Sequence, residues 1–433
     1  MKTITTKLRL LIVVLLIPVC LGASELTDKL SAVKAISDIK AMTDSSGFAE
    51  KYTMKFTHPL DYKNPAAGNF TQRIFVCHVG FDRPTIVVTE GYWANYAENP
   101  KYREELSRIL NANLVVCEYR YFGQSVPTPC NWNYLTVENS LDDIHQVVTA
   151  LKKIYPKKWL ATGISKGGQT TMFYRAYFPN DVAVSVPYVA PLNKSLEDGR
   201  HEPFIANKPG SAEDRMKVRD FQIELCKRKS GILPYFEKKC EEKKYKFRVP
   251  VSEIYDYWIL EYSFAFWQWG TETSEIPAYK TSNKDMADFM FKFNDPSYFQ
   301  SNGEFLSFWI QAAKELGYYG YDVRPFSKYM KGLNTKNYLL RIMLPARLSH
   351  MKFSDVLYKK TVAFLKNNDP RMIYIYGQYD PWSASGVCSW LDTSTKKNLH
   401  IYIQPRGCHK SRIANMPEET KEEIIALLKK WME

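Results

Sequence analysis

Residues 163–167 read Gly163-Ile164-Ser165-Lys166-Gly167, a G-x-S-x-G sequence inside the longer stretch "KKWLATGISKGGQTTMFY". A serine hydroxyl is a weak nucleophile until a base removes its proton and an acid orients that base. Downstream the chain supplies Asp380, in Gly377-Gln378-Tyr379-Asp380-Pro381-Trp382, and His409, in Arg406-Gly407-Cys408-His409-Lys410. The last two stand 409 − 380 = 29 residues apart, room for one helix and one strand. Those residue types in that order predict acyl transfer. Ser165 attacks a carbonyl, His409 takes its proton and returns it to the leaving group, and Asp380 holds the imidazole tautomer. The anion that forms needs N–H donors, expected from the backbone of Lys166 and from Gly91 or Tyr92 in the turn after "IVVTEGY".

The other candidates for these roles fit less well. Of seven histidines, His400 opens a strand and His350 falls in a helical, aromatic stretch, while His58, His78, His145 and His201 precede the elements that carry Asp380 and His409. Asp392, the second choice of acid, sits beyond a helical segment instead of at a strand end. No histidine pair has ligand spacing and no C-x-x-C occurs, so neither a metal nor a cofactor is expected.

Three side chains so far apart in sequence need a scaffold that gathers loops at one edge. "KYTMKFTHPLDYKNP" and "GNFTQRIFVCHVG" read as strands around an Asn-Pro-Ala-Ala-Gly turn. "PTIVVTEGY" and "NLVVCEYRYFG" are short apolar strands with the helical "NPKYREELSRIL" between them. "SLDDIHQVVTALKKIYP" has helical spacing, with acidic residues first and lysines last, as the macrodipole prefers. The strand "WLATG" and the helix "GGQTTMFYRAYF" then flank Ser165, so the serine stands at a strand-to-helix turn where helix N–H groups favour negative charge. After residue 190 the alternation gives way to helical, aromatic-rich sequence such as "SEIYDYWILEYSFAFWQWGTETSEIP". It resumes with "SDVLYKKTVAFLK", "RMIYIYG", a helical "SASGVCSWL", "LHIYIQP" and a closing amphipathic helix. The expectation is an α/β domain, residues 24–190 plus 355–433, with a parallel, two-sided sheet and a mostly helical lid inserted at 191–354.

Composition narrows the partners. The 433 residues carry 59 Lys and Arg against 46 Asp and Glu, a net charge of +13, but the basic residues are dispersed in short pairs. There is no long basic tract, zinc-finger spacing or RNA-binding signature, which argues against nucleic acid. Lys2, Lys7 and Arg9 precede an apolar run from Leu10 to Gly22, too short to span a bilayer and suited to an export signal over residues 1–23. Its removal would lower the charge to 13 − 3 = +10. A lipid anchor at Cys20 fits poorly behind Pro18-Val19, and no later stretch reads as transmembrane. Export, to the periplasm or the medium, permits disulfides. Sequence proximity pairs Cys117 with Cys130, Cys226 with Cys240 and Cys388 with Cys408, leaving Cys77 free.

Several blocks together resemble one family: "HPLDYKNPAAGNFTQR", "VVTEGY", "CEYRYFGQSVP", "GISKGGQTTMFYRAYFP" and "YGQYDPW". They are similar to the secreted bacterial tripeptidyl aminopeptidases, serine peptidases of α/β-hydrolase fold, and more distantly to prolylcarboxypeptidase and dipeptidyl peptidase II. The distant relatives have His where Tyr119 stands and usually an aromatic residue where Lys166 stands, which favours the bacterial branch. The resemblance implies removal of a short peptide, dipeptide or tripeptide, from a free N-terminus. Such an enzyme needs a carboxylate for the substrate's α-ammonium, because a desolvated ammonium requires a paired charge. Glu118, Glu90, Glu261, Glu272 and Glu275 are the candidates, and Trp267, Trp269 and Phe266 are candidates for the wall of a side-chain pocket. A secreted carboxylesterase with the same triad, or a Pro-X carboxypeptidase-like activity, is the alternative, since a fold does not set a substrate.

Overall fold

The computed structural model describes residues 24–433; the expected export signal and Cys20 lie outside the described residues. Nine strands form one sheet: β1 (Ile36–Ala41), β2 (Glu50–Pro59), β3 (Asn69–His78), β4 (Thr85–Val88), β5 (Asn113–Cys117), β6 (Trp159–Ile164), β7 (Val184–Tyr188), β8 (Met372–Gly377) and β9 (Leu399–Gln404). Their order is β1-β2-β3-β5-β4-β6-β7-β8-β9. The first three strands and β5 pair antiparallel, whereas β5, β4, β6, β7, β8 and β9 all run parallel. A parallel run places every C-terminal strand end on one edge, where loops from distant parts of the chain meet.

Helices α1 (Glu25–Ser31), α2 (Glu105–Leu110), α3 (Val137–Leu151) and α4 (Lys166–Tyr177) belong to the first half of the sheet. Between β7 and β8 the chain leaves the sheet and forms α5 (His201–Asn207), α6 (Ala212–Lys227), α7 (Lys229–Glu242), α8 (Val251–Trp269), α9 (Asn283–Phe293) and α10 (Leu306–Gln311). It returns through α11 (Val356–Asn367) and closes with α12 (Glu418–Met432). Strands β4, β5, β7 and β8 are buried along their length and mostly apolar because helices or loops cover both faces. Two of the three apolar clusters flank the sheet, and the third, rich in Tyr, Phe and Trp, fills the inserted helices.

The "CEYRYFG" block is a structural clamp. Fully buried Arg120 makes two bonds, 2.6 and 2.7 Å, to the equally buried Asp143 of α3, and its remaining N–H groups reach the carbonyls of Leu60 and Tyr134. Glu118, also buried, pairs with Arg73 and accepts from Ala94 N–H (3.1 Å), Gln124 N–H (2.7 Å) and Ser125 Oγ (2.9 Å). Its oxygens are therefore spent holding the loops after β4 and β5, which removes it as a substrate-binding carboxylate.

Two expectations need correction, and one strand is added. The helical reading of "SASGVCSWL" gives way to two short 3₁₀ turns, Pro381–Ala384 and Val387–Ser389, interrupted near Gly386. Val184–Tyr188, to which the sequence pattern assigns no element, forms strand β7; its Pro187, which breaks a strand pattern, lies opposite Gly163 at the rim. The expected disulfides are absent: Cys77, Cys117, Cys130, Cys226, Cys240, Cys388 and Cys408 are all free thiols. Proximity in sequence failed as a guide because each thiol packs against different neighbours. Cys117 is locked into β5 opposite Ile74 while Cys130 is exposed, Cys226 and Cys240 sit on separate helices, and Cys388 Sγ meets the Ser383 carbonyl at 3.4 Å. Excess reductant is accordingly expected to leave the thermal midpoint unchanged. A clear drop in differential scanning calorimetry would show that a bridge exists.

Candidate active site

Ser165 follows β6 and opens α4 with φ 58° and ψ −120°, a strained conformation for a residue with a side chain. Its N–H donates to the Tyr188 carbonyl at 2.9 Å. The turn closes this tightly because Gly163 has no Cβ; one placed there would come within 2.4 Å of the Gly167 carbonyl. Across from it, Gly91 lets the loop after β4 touch the elbow, since a Cβ at Gly91 would lie 2.8 Å from the Gly167 nitrogen. Glu90, just before, also carries a positive φ, 32°. Two strained backbones thus face each other across one close contact.

Asp380 follows β8 and His409 follows β9, on the edge where β6 ends. Asp380 Oδ2 and His409 Nδ1 are 2.7 Å apart, and the fully buried carboxylate also accepts the Trp382 N–H through Oδ1 at 3.1 Å. The two loops are tied together by Tyr379 N–H to the Gly407 carbonyl, 2.8 Å. Helix α8 adds a strut: the Gln268 carbonyl accepts the His409 main-chain N–H at 2.9 Å. The second ring nitrogen, Nε2, is buried and makes no hydrogen bond among the described residues, so it is not bonded to Ser165 here. Buried polar atoms left without a partner are rare in folded proteins, so this nitrogen calls for a functional account.

Lys166 is the residue that sequence reasoning undervalued. Its side chain is only 3% exposed, its Nζ donates to the Gly91 carbonyl at 2.6 Å, and it stands 3.4 Å from the centre of the Tyr119 ring. Rings of Tyr92 and Phe122 complete the enclosure. Burial drives its pKa well below the ordinary lysine value. The signal was present in the aromatic residues around the "EGY" and "EYRYFG" blocks, but only the fold brings them together.

The remaining candidates scatter. Glu90 accepts the Gly91 N–H through Oε2 at 3.1 Å and the Tyr96 hydroxyl through Oε1, and burial raises its carboxyl. It borders a cavity of 420 Å³ beside Gly163 and Ile164. Glu272 is exposed and caps a short 3₁₀ turn with Glu275. Trp267 is buried between two cavities of 260 and 290 Å³, and Phe266 is packed in the core of the inserted helices. Trp269, half exposed, meets the His409 ring edge-on at 6.2 Å. Glu261 is buried in α8 among tyrosines.

The parallel sheet, the strained serine between strand and helix, and the Asp–His pair on the same edge define an α/β-hydrolase. The chain belongs to the PS-10 peptidase S37 family, which matches residues 21–433, and is a serine peptidase of that fold. It is 30% identical over 394 residues to the prolyl tri/tetrapeptidyl aminopeptidase of Streptomyces mobaraensis, covering 87% of this chain and 79% of the relative. A shorter match, 29% over 108 residues and 22% of each chain, is to the lysosomal Pro-X carboxypeptidase of Homo sapiens. Among solved structures, the proline iminopeptidase of Mycobacterium smegmatis aligns at a TM-score of 0.40 with 13% identity, over 91% of this chain and 99% of that one.

Proposed function

We propose that the protein is an exported aminopeptidase that releases short peptides, chiefly tripeptides, from free N-termini through an acyl-enzyme on Ser165. The observation that carries this reading is the buried His409 ring, paired with Asp380 through Nδ1 and unpartnered at Nε2, on the sheet edge that presents Ser165. The relative from Streptomyces mobaraensis, a prolyl tri/tetrapeptidyl aminopeptidase, supports the direction of attack.

In the first step the Ser165 hydroxyl turns toward Nε2 and attacks the scissile carbonyl as His409 accepts its proton. Catalytic hydrogen bonds in ligand-free enzymes are commonly long and tighten on substrate binding. Asp380 stabilises the imidazolium and keeps Nδ1 protonated. The tetrahedral oxyanion is held by the Lys166 N–H at the start of α4 and by an N–H of Gly91 or Tyr92; the Gly91 N–H must first leave the Glu90 carboxylate. His409 then protonates the leaving amine, and water, activated by the same ring, releases the short peptide. The helices between β7 and β8 serve as a lid, residues 191–354, that restricts entry to a chain end. Residues 1–23 direct export. No helix among the described residues is long and apolar enough to cross a membrane.

Mass spectrometry of products from a mixed peptide library tests the proposal. The expected products are N-terminal fragments of two to four residues, with tripeptides dominant. Release of single residues from the C-terminus would favour a carboxypeptidase, and hydrolysis of simple esters alone would make the protein an esterase.

A further inference from the structure

An N-terminal exopeptidase must recognise an ammonium at a set distance from its nucleophile, and the sequence left several carboxylates open for that role. Glu118 is consumed by Arg73 and backbone N–H groups, Glu272 is exposed on a short turn, and Glu90 is turned onto its own loop. Glu261 differs from all of them. It is 5% exposed, and its carboxylate meets only neutral hydroxyls: Tyr319 at 2.7 and 2.8 Å, and Tyr321 at 2.7 Å. Two hydroxyl protons serve about four acceptor positions, so the carboxylate can accept further donors. Among the described residues no lysine, arginine or histidine pairs with it, and burial lifts its carboxyl to about 7. A desolvated carboxylate without a counter-charge is poorly stabilised until a cation arrives.

Its place on α8 supplies the second argument. Glu261, Phe264 and Gln268 stand at i, i+3 and i+7 and so share one face of the helix. The Gln268 main-chain carbonyl accepts the His409 N–H, and Phe264 packs edge-on to Trp382 at 5.1 Å and stacks on Tyr319 at 3.8 Å. Trp382, two residues after Asp380, lies 6.4 Å from the His409 ring, and among the described residues its buried indole N–H has no partner, a donor available to a peptide carbonyl. On the other side, Tyr318 touches Trp382 and Phe308, and Phe308 touches Tyr92 of the loop after β4. The tyrosine collar around Glu261 therefore bridges the histidine and the oxyanion loop. Seven residues of helix rise about 10 Å, and three extended residues span roughly the same distance.

Resting on the aminopeptidase reading, we infer that Glu261 binds the substrate's α-ammonium and that α8 sets the length of the peptide released. The test uses the mature enzyme on peptide anilides free of Lys and Arg, with free or acetylated N-termini, beside acetylated peptides that carry a lysine. Wild type should prefer the free amine over its acetylated twin by on the order of 100-fold in kcat/KM. In Glu261→Gln, checked for folding by thermal unfolding, that ratio should collapse to a few-fold. Free-amine tripeptide anilides should outpace di- and tetrapeptides in wild type, and the preference should vanish in the variant. A variant that keeps the free-amine ratio overturns the anchor alone, as does rapid wild-type cleavage of acetylated lysine peptides, which would make the ligand a side-chain ammonium. Loss of the free-amine preference in wild type on every substrate overturns the aminopeptidase reading and the anchor with it. If Glu261→Gln does not fold, Glu261→Asp draws the charge back by one methylene. Its kcat/KM for free amines should fall, and unchanged kinetics would refute the assignment.

Discussion

Ser165→Ala is expected to fold as wild type does and to lose on the order of 10³-fold or more in kcat on peptide substrates. The side chain is half-buried at the rim and none of the hydrogen bonds that hold the elbow uses its oxygen; those run through the backbone, from Ser165 N–H to Tyr188 and from Gln169 N–H to the Ser165 carbonyl. Alanine bears the same strained φ as serine, so stability changes little while the nucleophile is gone. Binding and oxyanion stabilisation survive, which leaves residual turnover above water. Single-turnover kinetics with purified variant, and a thermal melt to confirm folding, decide the matter. Turnover within tenfold of wild type would move the nucleophile elsewhere and dismantle the mechanism.

The second large effect is expected at Asp380. Asp380→Asn preserves size and an acceptor for the Trp382 N–H, yet it presents an amide where His409 Nδ1 requires a negative acceptor. The ring then adopts the tautomer with its proton on Nε2, facing the serine, and cannot act as a base. A loss of about 10⁴-fold in kcat follows from that tautomer change. KM should move far less, because Asp380 is fully buried and its carboxylate is taken up by His409 and the Trp382 N–H. Steady-state kinetics across pH resolve the two parameters; a loss confined to KM would mean that the carboxylate positions substrate instead of the imidazole.

The order Ser165, Asp380, His409 was legible because each of the three sits at a local signal, a strand end followed by a turn. Apolar runs for β4, β5, β6, β8 and β9 are likewise local, as is the helical character of 191–354. Strand β7 was hidden by Pro187, which sits at the rim where the ladder can spare an N–H. The disulfide reading failed for a related reason: distance along the chain says nothing about which faces of β5, α6 and α7 two thiols occupy.

By its own residues the sequence determined where Ser165, Asp380 and His409 stand as candidates, since residue type and strand-to-helix punctuation are written within a dozen positions of each group. Only the tertiary structure decided which carboxylate stands without a counter-charge, because that depends on partners remote in sequence. Glu118 is neutralised by Arg73, 45 residues away, and Glu261 meets Tyr319 and Tyr321, 58 and 60 residues away. It likewise folded Lys166 onto the Gly91 carbonyl, 75 residues back along the chain. Electrostatics and burial are sums over space, and no local pattern encodes them.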